Sequence, residues 1–514
     1  MQTVHQIPRA AMAAFMLGAS LGCPDGGEGE GGGEGEGEGE GEGEGESESE
    51  QSGDLRWLVT GNGPTGSENT CFSAATASDG TLVATCDTNG LTMWGQGSAG
   101  EFEVESAGGT DLLWLGLDPA NGAIRWHLLV GSTGNESAAF AANATLTDGR
   151  VAALVQLGGA TTGPGVDLPD AAAGDAYLFV LTATGTVDAT IPISSGASFI
   201  DVLGWALSPL PAGGLAISGG FTGPVTVLPG TPDELELIPN GVPAPASSSF
   251  VLFLDDTLSF DRVLHVGGAG EDVAARVVPT DEGGLLLTGY FAPTLTLGTN
   301  TVLHEVGGGD GFVARLDAGD EPVWTIGFGG QGEDYARSIV ETPDGSVVVA
   351  GYYGRLTPGS TLSVPGLAGI TLDPTNSFGL FALGLTSNGE PRWLQGVNST
   401  GGSTALTVGA FANGDVVVSG GIGGGTAEFS DGDSLPVTDT STLLVRYAHD
   451  DGSRVWTRMV SPAAGMAAAV LDNDSVAQCG GFVAGAVFGA GEPHEIQPPT
   501  NANSAAAAVA MHAP

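Results

Sequence analysis

Two acid pairs, Glu271-Asp272 and Glu333-Asp334, each close a glycine-rich run, Gly267-Gly268-Ala269-Gly270 and Gly329-Gly330-Gln331-Gly332. Clustered carboxylates on a tight turn are what a hard cation such as calcium requires. The same arrangement has a plainer use: a carboxylate at that point accepts backbone N–H bonds and fixes the loop. No Asp-x-Asp-x-Asp-Gly loop occurs, so loop fixing is the expectation and no metal ligand is assigned. Gly432-Asp433-Ser434-Leu435 would supply a serine nucleophile, but it lies in a Gly/Ser/Asp-rich inter-strand loop rather than near the start of an α/β domain. The seven histidines, at 5, 127, 265, 304, 449, 494 and 512, are scattered and form no His-Glu-x-x-His. No catalytic, cofactor-binding or metal-binding residue is therefore assigned. A triad assembled from distant parts of the chain is invisible at this level.

Four cysteines are present, Cys23, Cys71, Cys86 and Cys479. Cys71 and Cys86 flank the turn Asp79-Gly80, which places them at nearly matched depth on neighbouring strands and predicts a disulfide in an oxidising compartment. Cys479 is then a buried free thiol, and no Cys/His spacing suggests zinc. Arg9 precedes an apolar run from Ala10 to Gly22 that is too short to span a bilayer and is placed as a secretory signal over residues 1–22. Leu17-Gly18-Ala19-Ser20-Leu21-Gly22-Cys23 resembles a bacterial lipoprotein signal, with Ser20 where that motif usually has Leu. The resemblance implies an acylated Cys23 as the first mature residue and attachment to a membrane, at the outer membrane or cell surface. Plain cleavage without a lipid is the alternative.

Residues 23–52 are rich in Gly and Glu, in near-strict alternation up to Glu50, with no basic or aromatic side chain. Such a segment buries too little apolar surface to offset its ordering entropy, and reads as a tether spanning at least roughly 30 Å. It carries twelve of the acids behind the formal net charge of −47. The remaining excess still disfavours nucleic acid, which needs a basic surface, and adsorption to anionic lipid heads.

Residues 53–514 must position whatever chemistry remains, and they repeat. Seven Ala-rich first strands are expected near 71–78, 138–147, 199–209, 273–280, 336–342, 405–411 and 466–471, each followed by a turn and an aliphatic second strand such as Val347-Val348-Val349-Ala350. After a loop of variable length comes an alternating third strand, then an outer strand carrying Trp57, Trp126, Trp324, Trp393 or Trp456; Ala189 and Arg262 stand in the Trp place elsewhere. Trp57 to Trp126 and Trp324 to Trp393 are each 69 residues apart. The last unit supplies three strands before Pro514, and the orphan strand around Trp57 completes it. The expected fold is all-β: a seven-bladed β-propeller, four strands per blade, its final blade closed by the N-terminal strand, which removes exposed sheet edges.

The Gly-Glu-Asp elements above, with Phe312-Val313-Ala314-Arg315-Leu316-Asp317 and Trp324, look like the bacterial SBBP-type β-propeller repeats of secreted and surface proteins, most strongly over residues 260–355. The element has decayed in the first, second, third, sixth and seventh units. That resemblance implies a fold and transfers no catalytic residue. Leu117-Asp118-Pro119-Ala120-Asn121-Gly122-Ala123-Ile124-Arg125-Trp126 resembles the repeat of quinoprotein-type propellers, in which Asp, Gly and Trp form a docking turn between blades, though no cofactor ligand set accompanies it. The loops 89–110, 160–174, 224–249, 355–376 and 421–440 vary in length, and are either binding surfaces on a rigid scaffold or tolerated insertions. The reading is a monomeric binding or scaffolding module of the cell envelope, with a lipid anchor, an unidentified protein or carbohydrate ligand and no cofactor. The rival is an envelope enzyme using the axial channel, as a quinoprotein-like oxidoreductase, hydrolase or lyase.

Overall fold

The computed structural model describes residues 51–514 apart from 99, 196–205, 240–246, 281, 299–300, 305–306, 358, 372–377, 464–465, 491 and 499–503, so the expected signal, Cys23 and the tether up to Glu50 lie outside the described residues. Every regular element among the described residues is a β-strand. One ladder shows the plan: Glu333–Glu341, Val347–Arg355, Gly379–Leu385 and Pro391–Asn398 pair antiparallel in chain order, with Val349 opposite both Ile339 and Leu383. The turn between the first two is Pro343-Asp344-Gly345, where the Asp344 carboxylate accepts the Ser346 N–H and the Thr342 hydroxyl. Val347–Ala350 is buried residue after residue because both faces of the sheet are covered.

The same four-strand order recurs from Cys71–Thr76 to Ile124–Val130, from Ser137–Thr145 to Val187–Ser195, from Ala206–Pro209 to Phe260–Val266, from Ala269–Pro279 to Pro322–Phe328 and from Ser403–Ala410 to Arg454–Ala463. A further ladder runs Ala467–Val470, Val476–Val487, Ala506–His512 and then back to Leu55–Asn62, with Val59 opposite Val509. The two ends of the described chain therefore share one sheet. For the first strand expected at 199–209, residues 199–205 lie outside the described residues, and its described part is Ala206–Pro209.

First strands of neighbouring ladders touch directly. The Val408 N–H donates to Ser338 Oγ, the Ala468 N–H to Thr407 Oγ1, and the Ser208 hydroxyl to the Val277 carbonyl. Only small side chains leave room for such an approach, which is why these strands are rich in Ala. The core lies between adjacent ladders rather than within any one: Leu286 and Val313 pack with Ile339, Val349, Phe381 and Leu383 across a sheet-to-sheet interface.

The loops hold what the sequence reading did not foresee. Many of them form short strands that pair with the outer strand of the preceding ladder. Gly61 faces Trp94, Ser194 faces Val227, Val397 faces Phe429 and Ser461 faces Val487, with single bridges from Gly131 to Thr162 and from Gly329 to Ser363. Among the described residues six junctions are sewn in this way, each ladder to the one before it. The stretch holding Gly432-Asp433-Ser434-Leu435 is one of these hairpins, Gly425–Phe429 with Ser434–Val437, and Asp433 is ion-paired to Arg454.

Candidate functional site

With strands in this order, the first-to-second and third-to-fourth turns fall at one end of every sheet and the long second-to-third loops at the other. The two ends do different work. At the turn end, each outer-strand Trp reaches the next ladder. The indole N–H of Trp57 donates to the Pro119 carbonyl, that of Trp126 to Ala183, that of Trp324 to Ser387 and that of Trp393 to His449. Trp456 donates to Ser52 Oγ, so the segment ahead of the N-terminal strand stands where a turn would otherwise be. At Gly452, with φ +70°, a Cβ would fall 2.5 Å from the Trp393 ring, and only glycine permits this flat contact. Arg262, in the Trp place, instead holds Asp320 of the next ladder while stacking 3.6 Å over Phe253. The docking turn expected between units from residues 117–126 is thus present at several junctions, and one of them joins the two ends of the chain.

At the loop end, the carbonyl just ahead of a third strand accepts the N–H that opens the next first strand: Thr110 from Glu136, Ser247 from Asp272, Gly309 from Asp334, Phe378 from Ser403 and Ala505 from Asn69. The acids of the glycine-rich elements sit here. Asp334 is fully buried, its two oxygens accepting the Gly330 and Gly354 N–H groups; Asp272 accepts from Gly268. Burial pushes both carboxyls up to about 7, with the charges of Asp310 and Glu333 adding to Asp334 and that of Glu271 to Asp272. At the head of the ladder from Ser137 to Ser195 the place of Asp334 is taken by Glu136, which accepts the Ser132 and Gly158 N–H groups; Asp111 beside it, in the third-strand place that Asp310 holds, is raised to about 6, again mainly by burial, with Glu136 contributing. Their geometry is that of loop fasteners. Among the described residues no group of three or more His, Cys, Asp or Glu is gathered that could hold a metal ion.

Above these fasteners lies a cluster that sequence reasoning missed. Tyr290 and Tyr335 stack across the junction of two ladders with centroids 5.7 Å apart, and Tyr335 stacks on Tyr352 at 5.6 Å. Phe378 meets Tyr352 edge-on, Arg337 lies 6.0 Å over the Tyr335 ring, and Arg355 pairs with Glu333 at 2.7 Å. These side chains are half-buried. Leu356 follows directly, 73% exposed and held at φ +67°, a left-handed conformation that costs a branched residue. The rings were legible as residues, but 45 positions separate Tyr290 from Tyr335 in the chain. Only the packing of two sheets makes them a ladder.

An Asp and a Ser of one turn do meet a His of the next ladder at the turn end. His449 Nε2 lies 3.1 Å from Asp344, but the Ser346 hydroxyl donates to Asp344 rather than facing the imidazole, and Arg392 sits beside both. A serine nucleophile needs its base within hydrogen-bond reach. The order here is wrong for acyl transfer.

Cys71 and Cys86, opposite one another on adjacent strands, are joined as a disulfide with Cα atoms 3.9 Å apart. Cys479 is buried and its thiol pushed up to about 12 by that burial, which leaves it unreactive.

No family model matches the chain, and no curated protein sequence matches it. Among solved structures it is similar to a europium-containing methanol dehydrogenase, at 10% identity and a TM-score of 0.36 over 90% of this chain and 93% of that one. Quinohemoprotein alcohol dehydrogenase from Comamonas testosteroni gives 11% identity and 0.30 over 88% and 76%, and a Bacteroides caccae protein of unknown function 12% and 0.23 over 52% and 93%. Likenesses this distant bring neither a cofactor nor a substrate to this chain. What the described residues define is an all-β protein of repeated antiparallel sheets. The likeness to SBBP-type repeats gains no family match.

Proposed function

We propose that the chain is an exported, seven-bladed β-propeller, each blade of four strands, that works as a binding or scaffolding module of the bacterial cell envelope, held there by a lipid on Cys23. The cyclic order of contacts supports the fold: tryptophan docking, loop sutures and first-strand hydrogen bonds all run from one ladder to the next and include the junction between the two chain ends. The binding role rests on one observation, the half-buried tyrosine ladder with its arginines and the exposed, strained Leu356 beside it. Buried polar groups elsewhere fasten loops, whereas this cluster spends aromatic surface at the solvent boundary, where rigid scaffolds present their contacts.

Two experiments test the reading. Growth with a palmitate analogue is expected to label the wild-type protein and not Cys23→Ser; an unlabelled wild type removes the anchor. Purified mature protein is expected to bind envelope fragments saturably, with Tyr335→Ala retaining the thermal midpoint and losing the binding. Absence of saturable binding by the wild type defeats the module reading.

A further inference from the structure

We infer that the Tyr290–Tyr335–Tyr352 ladder is the binding site for a neutral oligosaccharide, an inference that rests on the binding-module reading above. Three observations carry it.

The first is an unspent cation. All thirteen cationic side chains are arginines, set against 60 acids, so an arginine on this surface has carboxylates to choose from. Nine of the described arginines, from Arg125 to Arg458, lie within ion-pair distance of one. Arg337 has no carboxylate at that distance among the described residues, and its guanidinium lies over Tyr335. A planar fork of donors kept clear of acids is suited to bidentate recognition of paired acceptor oxygens.

The second is the shape and polarity of the surround. Stacked tyrosines present a flat amphipathic platform of low conformational entropy, with Glu333 accepting and Arg355 donating at its edge. A pyranose has an apolar C–H face to lie on such rings and vicinal hydroxyls that both donate and accept, matching Arg337 and Glu333 together. The third is strain: Leu356 is held left-handed and exposed next to Arg355, the kind of outlier that collects at ligand contacts.

Charge and edges exclude the competing ligands. Glu333 lies near enough to the ladder to act on the Tyr352 phenol, and 60 acids face 13 arginines over the whole chain, so a polyanion is repelled. An extended peptide would add to a free strand edge, yet the loop strands here already pair with the preceding ladder, as Ser363 does with Gly329.

Isothermal titration of the full mature protein with cellohexaose, mannohexaose and chitohexaose, beside hexagalacturonate and a proline-rich peptide, tests the assignment. At least one neutral hexasaccharide is expected to bind with a Kd below about 1 mM, which is roughly 4 kcal/mol of affinity. Tyr335→Ala and Arg337→Gln are each expected to weaken it tenfold or more while the thermal midpoint stays within a few degrees. Tyr335→Phe, which keeps the ring, is expected to retain most of the binding. Failure of all three neutral sugars, tighter binding of hexagalacturonate or of the peptide, or undiminished sugar binding by Arg337→Gln overturns the inference. If envelope fragments bind saturably while no neutral sugar does, the site assignment falls and the module reading stands; if neither binds, both fall.

Discussion

The two ends of the sheets solve the same joining problem with opposite chemistry. At the turn end an indole lies flat on a glycine and donates to a carbonyl of the next ladder, an apolar contact finished by one hydrogen bond. At the loop end the joint is a buried carboxylate that gathers backbone N–H groups, as Asp334 does from Gly330 and Gly354. The first kind is indifferent to pH. The second is paid in desolvation, and its strength changes with protonation. A molecule joined in this asymmetric way has one inert end and one responsive end, and the tyrosine ladder sits at the responsive one.

The largest test of that contrast is Trp393→Ala, which removes a nearly buried indole from its seat on Gly452 and leaves the His449 carbonyl without its donor. A loss of about 3–5 kcal/mol is expected in denaturant unfolding. A loss below 1 kcal/mol breaks the claim that the turn end holds the ladders together. Next comes the covalent joint of the first ladder. Removing the Cys71–Cys86 bridge with paired alanines, across a separation of 15 residues, is expected to cost about 3 kcal/mol. Mass mapping without reduction should recover the linked peptides, and two free thiols there would defeat the expectation.

The acids give the third test, and its sign is fixed. Asp272 and Asp334, raised to about 7, and Asp111, raised to about 6, favour the protonated form in the folded state. Their contribution is fully present below the unfolded value near 4 and is lost as pH rises through 6 to 7, with each tenfold preference for the proton worth about 1.4 kcal/mol. The thermal midpoint is therefore expected to fall between pH 5 and pH 8, and Asp272→Asn to flatten that fall. A midpoint that rises over the same interval refutes the loop-end account. The smallest effect belongs to Arg262→Ala, whose half-exposed pair with Asp320 stands in for a tryptophan. About 1 kcal/mol is expected, weaker in high salt; a loss as large as that of Trp393→Ala would erase the distinction between the two kinds of joint.

Much of this was legible in the residues. Alternation and turn chemistry such as Pro343-Asp344-Gly345 located the strands, because a period of two and a left-handed glycine are local properties. The docking turn was implied by the resemblance of residues 117–126 to a quinoprotein-type repeat, and the partnership of Cys71 with Cys86 by a single hairpin. The loops were legible only as variable in length: 421–440 read as a binding surface or an insertion, and its strand pairing, Phe429 with Val397 of the preceding ladder, went unseen. Short strands of three to five residues, such as Val225–Val227 and Gly425–Phe429, carry too little periodicity to be seen alone. Their stability comes from the neighbour that they join.

Sequence by itself determined the strand order, the Ala-rich first strands and the carboxylates that fix glycine turns, since these depend on backbone geometry within a few residues. Tertiary structure alone decided which tyrosines stack, that Arg337 lies over a ring with no carboxylate at ion-pair distance among the described residues, and which Asp becomes hard to ionise. Those properties depend on distances between ladders and on the water that packing removes, and a linear order of residues encodes neither in a local pattern.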